Sequence, residues 1–202
     1  MRLVLASASP SRRRVLIDAG IMPIVQVSGV DEEALTETFD RLAPAELALT
    51  LARAKAQDVA KGFPDDDIIV VGCDSVFELD GAAYGKPLTA EVAVERITAM
   101  SGRTGLLHTG HWVVRAGRET GRTATTAVEF AVMTPDDIAA YVATGEPLNV
   151  AGAFTLDGHA APYVRRIDGD PSNVIGISLP TVRDLTAELG VRWSDLWATP
   201  TP

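Results

Sequence analysis

The stretch that most restricts what this chain can fold into is Ile68-Ile69-Val70-Val71-Gly72. Four consecutive β-branched side chains favour extended backbone. An apolar run with no alternation marks a strand buried on both faces. Such a strand needs a layer on each side, which points to an α/β architecture. Cys73-Asp74-Ser75 follows at its carboxyl end, where the ligands of open α/β sheets bind. Asp74 is therefore a site candidate, with an Asx-type turn as the plain alternative. Residues 76–79 read as a second strand turned by Asp80-Gly81.

A second feature lies near the start, where Ala6-Ser7-Ala8-Ser9-Pro10-Ser11-Arg12-Arg13-Arg14 separates Leu3-Val4-Leu5 from Val15-Leu16-Ile17. The pattern reads strand, tight turn, helix, with Ser9 as N-cap and Pro10 at the first helical position. Cations in a first turn oppose the helix dipole. Free N–H groups and guanidinium groups then face one small volume, and an anion is what such a volume binds. The plain alternative is a solvated basic turn.

With 202 residues the chain holds one domain or two lobes around a cleft. Its net charge of −9 argues against a broad nucleic-acid surface and against an anionic membrane surface. Grouped arginines in an acidic protein suit a small, compact anion instead. One cysteine, Cys73, allows no internal disulfide and suits a reducing compartment, so a cytoplasmic location is expected. No apolar run approaches the length of a membrane span. Residues 1–8 superficially resemble a signal peptide, but their apolar core is too short.

Further along, residues 23–28 alternate weakly like a strand and 30–33 read as a polar loop. Residues 44–61 read as a long helix, stopped by Gly62-Phe63-Pro64. Ala48, Leu51 and Lys55 fall at i, i+3 and i+7 of that helix, so Lys55 lies along its apolar stripe. It either snorkels out or reaches a site that needs a cation. Gly85-Lys86-Pro87 lacks the spacing and the Ser/Thr of a P-loop. Helices are expected over 89–101, 134–144 and 179–189, and strands over 108–115, 123–133 and 163–167. Residues 169–173 read as a turn, and 194–202 as a frayed tail. Residues 150–158 carry small side chains where a backbone or ligand approaches closely. Without strict βαβ alternation, the sheet is expected to be mixed.

Absent constellations narrow the chemistry. No paired cysteines suggest zinc, and neither Gly-x-Ser-x-Gly nor a dinucleotide fingerprint occurs. What remains is a set of cations (Arg12, Arg13, Lys55, Lys86) and carboxylates (Glu32, Asp74). That combination suits metal-assisted attack of water on a polyphosphate.

These segments resemble the Maf family, nucleotide pyrophosphatases first described as septum-formation inhibitors. The resemblance rests on Leu5-Ala6-Ser7-Ala8-Ser9-Pro10-Ser11-Arg12-Arg13, Leu51-Ala52-Arg53-Ala54-Lys55-Ala56 and Gly72-Cys73-Asp74-Ser75-Val76. It continues through Leu79-Asp80-Gly81, Gly85-Lys86-Pro87, Ser101-Gly102-Arg103-Thr104, Ala151-Gly152-Ala153-Phe154 and Asn173-Val174-Ile175-Gly176. It implies an inosine-triphosphatase-like fold, two α/β lobes around a cleft on a long twisted mixed sheet, usually dimeric. It further implies hydrolysis of a nucleoside triphosphate to the monophosphate and pyrophosphate with a divalent metal such as Mg2+ or Mn2+. By position, Ser9, Arg12, Lys55 and Lys86 match phosphate-contacting residues, Asp74 the essential acid, and Glu32 an acidic residue near the metal. Arg13 belongs to the same basic turn.

Two departures concern substrate choice. Ser11 stands where the family commonly has Arg, and Asp157 where it commonly has Gln. A carboxylate only accepts hydrogen bonds. Asp157 would therefore favour guanine-type or cytosine triphosphates over uridine and thymidine triphosphates; alternatively it caps the Asp157-Gly158 turn. Two other readings of the whole chain are a regulatory protein of cell division that binds nucleotide without turnover, and a house-cleaning enzyme for damaged purine triphosphates.

Overall fold

The computed structural model describes residues 1–39 and 41–198. The chain opens with β1 (Arg2–Ala6), α1 (Pro10–Asp18), β2 (Ile24–Val25), α2 (Glu32–Thr38) and α3 (Pro44–Ala60). β3 (Ile68–Leu79), β4 (Ala82–Tyr84), α4 (Ala90–Met100), β5 (Thr104–Arg115) and β6 (Arg118–Phe130) follow. The chain closes with α5 (Pro135–Ala143), β7 (Val164–Asp168), α6 (Pro171–Ile175) and α7 (Leu179–Glu188). The strands form one seven-stranded mixed sheet in the order β2-β1-β3-β5-β6-β7, with β4 also paired to β3. The β1–β2 and β1–β3 pairs are parallel, and the pairs made by β4, β5, β6 and β7 are antiparallel. The α/β class and mixed sheet read from the sequence are present. No helix among the described residues is long and apolar enough to cross a membrane.

β3 is the spine. Its first half packs Ile69, Val71 and Cys73 with Leu3, Leu5, Leu16 and α7. Its second half packs Phe77 and Leu79 with α4, α5 and the aromatic pair Phe130 and Phe154. Alternate side chains of one strand serve one face, so these five odd-numbered residues share a face and pack into two separate clusters along it, while Ile68, Val70 and Val76 pack into other clusters.

Four expectations need correction. β3 is one strand through Leu79 rather than two, so Asp74 stands in mid-strand and not at a carboxyl end. The stretch taken for a polar loop at Glu32 and Glu33 opens helix α2, whose N-cap Asp31 accepts the backbone N–H of Ala34 at 3.0 Å. Carboxylates at that end favour the helix dipole. Residues 194–198 do not fray: Trp193–Leu196 forms a 3-10 turn, Leu196 is buried, and the Ala198 N–H donates to the Gly20 carbonyl at 2.8 Å. The rest of that tail, 199–202, lies outside the described residues. The turn expected at 169–173 also contains the start of α6, capped by Asp170.

His111, fully buried on β5, joins β5 to α7 by accepting the Ser178 N–H at Nε2, 2.8 Å away. Burial, and then the charge of Arg12, push its pKa down to about 4 from 6.5. Between those values the unfolded chain binds a proton that the folded chain refuses, so stability falls as pH drops through that window. The shift corresponds to a loss of about 3 kcal/mol. Chemical denaturation from pH 7 to pH 4 should show this decline, and His111→Gln should flatten it. An equally steep decline in the variant would assign the loss to other groups.

Candidate active site

The site grows from a gap in the sheet. β5 accompanies β3 along one edge from Val70 to Glu78. β1 occupies the other edge up to Gly72, and β4 takes it up again at Phe77. Residues 73–76 are left without a strand neighbour on that edge. β1 ends at the gap, and Ser7, Ser9 and α1 follow it. The register of β4, with Tyr84 opposite Phe77, carries the chain back toward the gap as Lys86 follows.

One face of β3 presents Asp74 to α3. The sheet lets this helix come unusually close, because a Cβ on Gly72 or Gly110 would strike the Ala52 or Ala48 carbonyl oxygen. Lys55 is thereby delivered to the sheet, with Nζ 2.6 Å from Asp74 Oδ1 and 2.9 Å from Glu32 Oε2. The Lys55 side chain is 7% exposed and that of Asp74 12%, while Glu32, on α2, is 45% exposed. Two carboxylates thus share one ammonium, and the trio keeps one net negative charge. Lys55 does not snorkel out.

On the opposite face, next to Ser75, lies Arg12. Its side chain is buried and donates from Nε to the Gly176 carbonyl at 2.7 Å, from Nη1 to Ser7 Oγ at 3.0 Å, and from Nη2 to Ser75 Oγ at 3.0 Å. All three acceptors are neutral, and no carboxylate among the described residues pairs with it. A buried charge without a counter-ion is costly unless one arrives. The arrangement calls for an anion.

Ser9 caps α1 as expected, accepting the Arg12 N–H at 3.3 Å. Arg13 and Lys86 are exposed and take part in no ion pair among the described residues. Arg14 instead pairs with Asp18 along the helix, away from this cluster.

The Maf-like protein family model matches residues 2–189. The chain belongs to this family. It is 56% identical over 199 residues to a nucleoside triphosphate pyrophosphatase of Streptomyces coelicolor, which spans 98% of this chain and 95% of the relative. Proteins of the same name from Salinispora tropica and Leifsonia xyli subsp. xyli are 52% and 48% identical. Each alignment covers 98% of this chain, and 88% and 97% of the respective relative.

In this Maf-like chain, Lys55, Asp74 and Glu32 meet in one ion-paired cluster, Arg12 is bonded to Ser75 on the opposite face of the same strand and to the α1 cap Ser9 through its backbone, and Lys86 is exposed. Asp157 is different. It is exposed in a turn, and its carboxylate accepts no hydrogen bond among the described residues. It therefore does not cap the Asp157-Gly158 turn.

Glu146 organises that turn instead. It accepts from Thr155 Oγ1, from the His159 N–H at 2.9 Å, and pairs with His159 Nδ1 at 2.6 Å. Burial would raise the Glu146 pKa, but the hydrogen bonds from Thr155 and His159 outweigh it and hold the group at about 2. Sequence reasoning missed Glu146 and His159, whose 13-residue separation carries no motif. It also missed Ser75, although that residue adjoins Asp74.

Proposed function

We propose that this chain hydrolyses nucleoside triphosphates to nucleoside monophosphates and pyrophosphate. The observation that carries the reading is a pair of complementary vacancies of charge at one gap. Arg12 is a buried cation with no anion, and Asp74 with Glu32 is a carboxylate pair holding less positive charge than it needs. A triphosphate accompanied by a divalent cation satisfies both at once.

The residues fit such a cation. Lys55 occupies one oxygen each of Asp74 and Glu32, leaving Asp74 Oδ2 and Glu32 Oε1 as hard oxygen donors. No group of three potential metal-ligating side chains occurs among the described residues. The protein would thus supply two carboxylates and the substrate phosphates the rest, which is how Mg2+ is commonly held. When bound, the ion lowers the pKa of attacking water and shields phosphate charge.

This chain's own residues then divide the work. Arg12, with Arg13, Lys86 and Ser9, binds and orients the triphosphate so that water meets the α-phosphorus in line. Asp74 takes a proton from that water as the bond to the α-phosphorus forms. The bond between that phosphorus and the bridging oxygen to the β-phosphate breaks, and pyrophosphate departs with the electron pair. Lys55 holds the Asp74 carboxylate in place through the hydrogen bond from Nζ to Oδ1 at 2.6 Å. A pure binder of polyanions would lose affinity by placing two carboxylates here, so the regulatory reading is not favoured. A homodimer in the cytoplasm completes the reading, supported by the family resemblance and by the buried free thiol of Cys73.

Purified protein given a panel of canonical and damaged nucleoside triphosphates with Mg2+ or Mn2+ should release pyrophosphate and monophosphate one to one. Excess chelator should stop the release. Tight nucleotide binding with no pyrophosphate would replace this reading with the regulatory one. Preference for damaged purine triphosphates would assign house-cleaning.

The same panel tests base choice. The expected preference for guanine-type or cytosine triphosphates rests on donor pattern: guanine presents adjacent N1–H and N2–H groups and cytosine an exocyclic amine, whereas the uracil and thymine N–H is flanked by two carbonyls that a carboxylate cannot pair with. Asp157→Gln should shift the kcat/KM ratio toward uridine and thymidine triphosphates by about tenfold, the scale of one hydrogen bond. Unmoved ratios would remove Asp157 from base recognition.

A further inference from the structure

Arg12 is held by more than its immediate neighbours. Ser75 Oγ, which accepts from Arg12 Nη2, lies 3.0 Å from Thr109 Oγ1, and Thr109 Oγ1 donates to the Asn173 carbonyl at 3.2 Å. Each hydroxyl has one proton, so the direction of the chain is fixed. The Thr109 proton goes to Asn173, the Ser75 proton goes to Thr109, and a Ser75 lone pair is thereby aimed at Arg12.

The far end of this chain is anchored. Asn173 is fully buried, and the two N–H groups of its Nδ2 are shared among the Leu107 carbonyl at 3.1 Å, the Ala124 carbonyl at 3.3 Å and Thr126 Oγ1 at 3.0 Å. Three residues on, the Gly176 carbonyl accepts from Arg12 Nε. Gly176 has φ +118, a conformation that side chains rarely adopt. The segment that ends the hydroxyl chain thus also grips the guanidinium directly, on a second side. Of five guanidinium N–H groups three are engaged, which leaves one on each Nη for an incoming anion.

We propose that Thr109 is a positioning residue that sets the Arg12 guanidinium for the triphosphate, with the Asn173 carbonyl as its fixed terminus. Thr109 is fully buried between β5 and α6 and acts through Ser75. Such aligned chains polarise one another and hold their members in a single geometry. The inference rests on the reading of Arg12 as a phosphate contact.

Thr109→Val keeps the shape and removes the proton, while Thr109→Ser keeps the proton. For a nucleoside triphosphate, Thr109→Val should lower kcat/KM about tenfold, the scale of one net hydrogen bond, chiefly through KM. Thr109→Ser should restore most of the loss. In an Arg12→Met background, Thr109→Val should change kcat/KM by less than about twofold, since residues acting through one another are not additive. Equal losses in both backgrounds, or no loss in either, would overturn the proposal. An Arg12→Met protein with unchanged KM would instead overturn the phosphate reading of Arg12. Thermal denaturation accompanies each variant, and Ser75→Ala replaces Thr109→Val if that protein does not fold.

Discussion

Asp74→Asn is expected to lower kcat by at least about 100-fold, the usual scale for loss of an acid–base group. The amide keeps the shape of the carboxylate but can neither take the proton from water nor act as a charged metal ligand. Removing one partner of a buried ion pair is commonly destabilising by about 3–5 kcal/mol. Here Lys55 retains Glu32 at 2.9 Å, so the loss of stability should be well below that range. Steady-state turnover and a denaturation curve on the same preparation separate the two effects. A folded Asp74→Asn protein with more than half the wild-type kcat would remove Asp74 from the chemistry.

The second large effect is predicted at Gly110→Ala, on β5 directly opposite Asp74 in register. A methyl group there meets the carbonyl of Ala48 and the amide of Leu49, both backbone atoms of α3. No rotamer change relieves such a contact, so the helix must lift from the sheet. The destabilisation should reach about 3 kcal/mol, the upper part of the range for overpacking. Lifting α3 also withdraws Lys55 from Asp74, and turnover should fall with stability. Gly121→Ala provides the comparison, because its methyl group meets the ring of Trp112, a side chain that can turn aside. If Gly110→Ala matched Gly121→Ala in both stability and turnover, close approach of the helix would not be what sets Lys55.

Legibility of this chain in its sequence followed the range of the interactions involved. The core of β3 was readable because four β-branched residues in succession leave few alternatives, and α3 because its apolar period is unbroken. Lys55 was readable as a candidate because a cation on an apolar stripe demands an explanation. The extent of β3 was not, since Cys73-Asp74-Ser75 looks like the polar end of a strand. Those residues remain in the strand because β5 pairs with them throughout, a partner more than thirty residues away that no local pattern announces. The helix α2 was hidden because acidic residues at a helix start and in a solvated loop have the same composition. Its apolar Leu35 and Phe39 pack beside Leu47, Leu51 and Val76 only once the chain has folded. Thr109 carries no signal at all, and Asn173 only its place in a family-like segment: what makes them matter is a contact across 64 residues.

The gap in the β3 edge has a consequence for how this protein behaves in a crowd. An exposed sheet edge normally invites strands from other molecules, and proteins protect such edges by bulges, charges or cover. Here the uncovered length is residues 73–76, roughly 13 Å at the usual rise per residue. That is shorter than a typical strand of 5–6 residues, and β1 and β4 close it at both ends. A foreign β-segment cannot lie down in it, whereas a small flexible ion can. The break in the sheet is therefore selective by length alone: it is long enough for a small ion and too short to serve as a template for a strand.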